Sequence, residues 1–118
     1  MPNQFFLNEG IPTVRINDPL ELSNFTLIDV RSEEEFFGEL SHIEKARLVT
    51  LGPELEVYLQ SVEKNEKIIF ICRSGIRSAR ATRLALDTGI KNVFNMEGGM
   101  IEWNEKKFPV VSLKNESL

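Results

Sequence analysis

The chain has 118 residues, 42% of them hydrophobic and 27% charged, with a net charge of −4. That size and composition describe one compact domain burying roughly two-thirds of its unfolded surface, and the acidic balance excludes general nucleic-acid binding and adhesion to anionic membranes. One cysteine and one histidine exclude an internal disulfide, a Cys-x-x-Cys redox pair and a structural zinc set.

Residues 1–10 lack a basic region followed by a long apolar segment, and they read as a surface tail. The domain itself is expected over 11–110, opening with a strand at 13–16 and a short helix at 19–23. A strand at 26–30 leads to a helix at 33–37, and a strand at 46–50 precedes a helix at 53–62. In that helix Pro53 suits the first position, while Leu55, Tyr58, Leu59 and Val62 recur at helical spacing. The run at 67–71 is apolar without alternation, as a central strand covered on both faces requires. A helix over 76–88 stops at Gly89, and a strand at 92–95 and a helix at 99–106 complete the pattern. Residues 111–118 read as a second tail. No apolar run approaches the ~20 residues needed to span a bilayer, and a reducing, cytoplasmic setting is expected. The alternation predicts an α/β fold: a central, mainly parallel five-stranded sheet with helices on both faces.

The only cysteine, Cys72, follows Ile68-Ile69-Phe70-Ile71 and opens Cys72-Arg73-Ser74-Gly75-Ile76-Arg77-Ser78. In open α/β sheets ligands bind beyond the carboxyl ends of the strands, which is the address of this thiol. The amides of Ser74, Gly75, Ile76, Arg77 and Ser78 are expected to converge on the sulfur as an anion cradle, with Gly75 supplying a positive φ. A helix N-terminus and neighbouring cations stabilise a thiolate, so Cys72 is expected to be largely ionised and nucleophilic.

Residues 72–83 hold Arg73, Arg77, Arg80 and Arg83 and no acid, a local +4 against −8 for the rest, since the whole sums to −4. Arg73 and Arg77, beside the thiol, are candidates for bidentate binding of an anionic substrate. Arg80 and Arg83 read as a basic helix face paired with acidic neighbours. The hydroxyls of Ser74 and Ser78 fit either substrate contact or capping of the helix. Asp29, Arg31, Glu34 and Glu35 read as a structural charge network, His42 as a packing residue and Trp103 as a core anchor.

The segment from Cys72 to Ser78 resembles the active loop of single-domain rhodaneses, the thiosulfate sulfurtransferases. The resemblance extends to Leu27-Ile28-Asp29-Val30-Arg31 with Glu34, Glu35 and Phe36, and to Asn95-Met96-Glu97-Gly98-Gly99-Met100-Ile101-Glu102-Trp103, ending near Phe108-Pro109-Val110. It departs at Ser41-His42-Ile43-Glu44-Lys45-Ala46, where family members commonly read Gly-His-Ile-Pro-Gly-Ala, after a short insertion around 38–40. What the resemblance implies is a rhodanese-like fold and sulfur transfer through a Cys72 persulfide. The donor would be a small anion such as thiosulfate, and the acceptor cyanide, a thiol or a protein thiol such as thioredoxin. No metal or organic cofactor is implied. A non-catalytic binding module or persulfide carrier on the same fold is the alternative. A cysteine-dependent phosphatase or arsenate reductase is disfavoured, because Arg77 gives Cys-x4-Arg where those enzymes place arginine at Cys-x5-Arg.

Overall fold

The computed structural model describes residues 4–112. In chain order the elements are β1 (Phe5–Asn8), β2 (Ile11–Val14), a 3-10 turn (Pro19–Leu22), β3 (Thr26–Asp29), α1 (Glu33–Phe36), β4 (Arg47–Leu48), α2 (Pro53–Ser61), β5 (Lys67–Ile71), α3 (Ile76–Asp87), β6 (Asn92–Met96) and α4 (Gly99–Glu105). They build one sheet of six strands in the order β1-β2-β6-β5-β3-β4. Every neighbouring pair is parallel except the β1–β2 hairpin.

The sixth strand corrects the sequence expectation twice, since β1 lies inside the supposed tail at 1–10 and adds to the five strands foreseen. Its turn, Glu9-Gly10, has φ of +52° and +83°, the positive pair that a two-residue hairpin turn requires. At the other end, Val111 exchanges backbone hydrogen bonds of 2.9 and 2.8 Å with His42, so position 111 is held by the fold. Residues 1–3 and the rest of the second tail, 113–118, lie outside the described residues. No described helix is long and apolar enough to cross a membrane.

Strand periodicity divides the core between the two faces of the sheet. Ile68, Phe70 and Cys72 pack with Leu55 and Leu59 of α2 and Ala81 and Ala85 of α3. Ile69 and Ile71 face the other way, against Leu22, Met100 and Trp103. With both faces covered, all four residues from Ile68 to Ile71 are fully buried, each stabilising by about 1.5–3 kcal/mol relative to exposure. The non-alternating apolar run is thereby explained.

Where β3 ends, Asp29 and Arg31 are 0% and 1% exposed. Arg31 donates from Nε (2.9 Å) and Nη2 (2.8 Å) to the Asp29 carboxylate and from Nη2 to the Ser41 carbonyl at 2.7 Å. These bonds lock the end of β3 to the segment before β4, beside the end of β5 to which β3 is paired. Removing one member strands the other charge in the interior, at a cost of about 3–5 kcal/mol. Arg31→Met should therefore lower unfolding free energy by about that amount in urea titrations; a loss under 1 kcal/mol would show that Asp29 is otherwise satisfied.

Candidate active site

Cys72 stands at the carboxyl end of β5, between β6 and β3, where the chain turns through Arg73, Ser74 and Gly75 into α3. Gly75 takes φ +108°, a conformation that disfavours side chains, and its N–H donates to Cys72 Sγ at 3.0 Å. Ser78 Oγ, one turn into α3, lies 3.2 Å from the same sulfur. The thiol is only 1% exposed. Burial of that degree also suits an inert core cysteine; what marks this one is a main-chain donor and a buried hydroxyl, both within reach of Sγ.

Of the five amides expected around the sulfur, the geometry brings one, that of Gly75, into hydrogen-bond contact. The amides of Ile76, Arg77 and Ser78 occupy the first turn of α3, where N–H groups have no intrahelical acceptor. Gly75 is the cap position of α3, and no side chain caps that end. The helix-cap reading of Ser74 and Ser78 is thus overturned: Ser74 is exposed, and Ser78 faces the sulfur.

The loop is gripped from behind by α4. Met100 N–H donates to the Cys72 carbonyl at 2.9 Å and Ile101 N–H to the Arg73 carbonyl at 3.0 Å. Gly99 lies so close that an added Cβ would overlap both carbonyls. Asn95, near the end of β6, completes the support by donating from Nδ2 to the Gly75 carbonyl at 3.0 Å and accepting the Ser78 hydroxyl at Oδ1. Sequence reasoning assigned neither Asn95 nor Gly99 a place in the site; their only signal was membership of the Asn95 to Trp103 segment.

The arginines divide differently from expectation. Arg77 is not a free anion receptor: its two terminal nitrogens donate to Glu35, each at 2.8 Å. Glu35 is presented by a capping box at the start of α1, where Glu35 N–H donates to Ser32 Oγ and Ser32 N–H returns to Glu35 Oε1. The Arg77 guanidinium holds the Glu35 carboxyl down to about 2 from an ordinary 4.5, and Glu35 in turn raises Arg77. Arg73, Arg80 and Arg83 are exposed and make no ion pair with any described residue, which corrects the paired-face reading of Arg80 and Arg83. Arg73 lines a 220 Å³ cleft with Glu34, Glu35 and Glu39.

The expected charge network is thus two separate devices, Asp29 with Arg31 and Glu35 with Arg77. His42 packs as expected, stacked on Phe36 at 3.6 Å with Nδ1 on the Phe36 carbonyl at 2.7 Å. Trp103 anchors the core and donates to the Pro109 carbonyl at 2.9 Å.

The family model for the rhodanese-like domain matches residues 14–106, a span that includes every site element just described. The chain belongs to the rhodanese-like family. YtwF of Bacillus subtilis, which carries a sulfurtransferase name, is 32% identical over 100 residues, covering 84% of this chain and 93% of that protein. The structure of the human single-domain sulfurtransferase TSTD1 superposes with a TM-score of 0.72 at 30% identity, covering 82% of this chain and 98% of that one. A tRNA uridine(34) hydroxylase of Buchnera aphidicola is 32% identical over 94 residues, but the match takes in only 29% of its length.

Because Glu35 is more acidic folded than unfolded, its contribution to stability is complete above its ordinary 4.5 and is lost as pH falls toward about 2. In Arg77→Ala the Glu35 carboxyl, followed by carbon NMR, should titrate well above 2, toward 4.5. A midpoint still near 2 would assign the shift to the Ser32 cap instead.

Proposed function

We propose that this rhodanese-like protein is a sulfurtransferase that carries sulfane sulfur on Cys72. The observation that carries the reading is the polar setting of the buried sulfur: Gly75 N–H and Ser78 Oγ on Sγ, beside a helix start that no side chain caps. In the first half-reaction the Cys72 thiolate attacks the outer sulfur of thiosulfate. A new S–S bond forms, the donor's S–S bond breaks with its electron pair, and sulfite departs, leaving Cys72–S–S⁻. In the second, an acceptor nucleophile takes the outer sulfur and the Cys72 thiolate leaves; cyanide yields thiocyanate, and a thiolate yields a persulfide.

The chain's own groups fit each step. The first-turn amides of α3 are free to receive the sulfonate oxygens of the donor and then the anionic outer sulfur, both favoured at a helix N-terminus. Arg73 is the guanidinium left to attract the dianion, since Arg77 is held by Glu35. The family relatives named as sulfurtransferases support the same chemistry. A protein thiol such as thioredoxin is the acceptor class proposed, because the outer sulfur projects beyond an enclosed Sγ.

Incubation with thiosulfate should add about 32 Da, one sulfur, to Cys72 in intact-mass spectra, and Cys72→Ser should abolish both the adduct and cyanide-dependent turnover. A fully active serine variant would assign the nucleophile elsewhere, and an aryl phosphate consumed in preference to thiosulfate would reassign the enzyme. Arg73→Ala should lower kcat/KM for thiosulfate about ten- to a hundredfold, the worth of one charged hydrogen bond, with a smaller loss for an uncharged persulfide donor. Equal losses with both donors would contradict a role in attracting charge.

A further inference from the structure

Asn95 is 6% exposed, and both ends of its amide are engaged. Its Nδ2 meets the Gly75 carbonyl, which also accepts the Ala79 N–H at 3.2 Å. This fixes the amide's orientation, because a reversed amide would set two acceptor oxygens face to face. Oδ1 therefore faces Ser78 Oγ, and as a pure acceptor it requires the hydroxyl proton. Ser78 has only one such proton, and its Oγ also lies 3.2 Å from Cys72 Sγ. It cannot serve both.

We infer that Asn95 is a positioning residue that holds the Ser78 proton away from the Cys72 sulfur, so that the resting thiol donates its S–H to Ser78 Oγ. This rests on Cys72 being the reacting thiol. When the sulfur loses its proton to solvent, Ser78 either turns to the thiolate and abandons a buried acceptor, or keeps Asn95 and presents a lone pair to an anion. Each outcome forfeits a buried hydrogen bond. The persulfide avoids the conflict: its charge sits on the added sulfur, Sγ is no longer an anion, and Ser78 keeps Asn95. The network accommodates the sulfur-loaded form without that loss, since Ser78 and Asn95 keep their bond.

The charged groups around this centre are Arg77, paired with Glu35 and acting through space on Cys72, Asp29 paired with Arg31, Glu97 paired with Arg15, and Arg73, which pairs with no described residue. Glu9 lines the cleft beside Gly75 and Asn95. No ion pair or hydrogen bond among the described residues joins any of them to the side chains of Ser78 or Asn95.

The test is the pH profile of Cys72 alkylation by iodoacetamide, read by intact mass; the chain has no second cysteine. Asn95→Leu frees the hydroxyl to face the sulfur and should move the midpoint about one unit lower in pH. In a Ser78→Ala background the same substitution should do nothing. Asn95→Asp, which keeps the acceptor, should not lower the midpoint. An unmoved midpoint in Asn95→Leu, or equal shifts with and without Ser78, would overturn the inference; Asn95→Ala carries the same expectation should the leucine variant misfold. The profile reads the thiol directly, so it remains decisive even if thiosulfate proves to be no donor.

Discussion

The site depends on one close backbone approach, the seating of the β5–α3 loop on the start of α4. Two main-chain hydrogen bonds, from Met100 to the Cys72 carbonyl and from Ile101 to the Arg73 carbonyl, fix where the reactive residue leaves the sheet. The approach is possible because Gly99 has no Cβ to meet those carbonyls. Everything finer is built on it: the Gly75 conformation, the direction of its N–H toward the sulfur, and the reach of Asn95 from β6. Anchoring the loop by its carbonyls leaves the Gly75 N–H to Cys72 Sγ, so support and the contact to the sulfur use opposite poles of one peptide chain.

The charge pattern follows a similar division of labour. Of the four arginines in the basic window, Arg77 is tied bidentately to Glu35, and that ion pair joins α1 to α3 across the mouth of the site. Arg31, buried with Asp29, does the corresponding work behind it. Neither guanidinium is at liberty to follow a substrate, and both fix the frame. The exposed Arg73, Arg80 and Arg83 make no ion pair with any described residue and gather positive charge beside the loop in a chain of net charge −4.

Much of this could be read from the sequence, and the failures have physical causes. The buried strand at Ile68 to Ile71, the helix after Gly52 and the strand-end thiol were legible because apolar periodicity and turn residues agree there. Strand β1 was not, because Glu rather than Asn or Asp occupies the first positive-φ position of its turn and Pro12 interrupts the partner strand. The burial of Cys72 was not legible, because the charged turn residues that follow it argue for an open position, whereas the fold closes Gly75 and Ser78 over the sulfur. Partner choice among charges was not: Glu35 and Arg77 are 42 residues apart, and no local rule selects that pair over Arg80 or Arg83. Asn95 was hidden for the same reason, since a polar residue at a strand end declares nothing about a hydroxyl on another element.

The near-complete enclosure of Sγ, 1% exposed beneath Gly75 and Ser78, bears on the sulfur transfer proposed for this chain. In the proposed persulfide, an extension of about 2 Å would lift the active atom off that floor, so the bare thiol would be shielded from bulky oxidants and stray thiols and the added sulfur would be displayed. On that proposal a recipient would meet the cargo and not the carrier's own thiol, and the depth of the well would protect the carrier between deliveries.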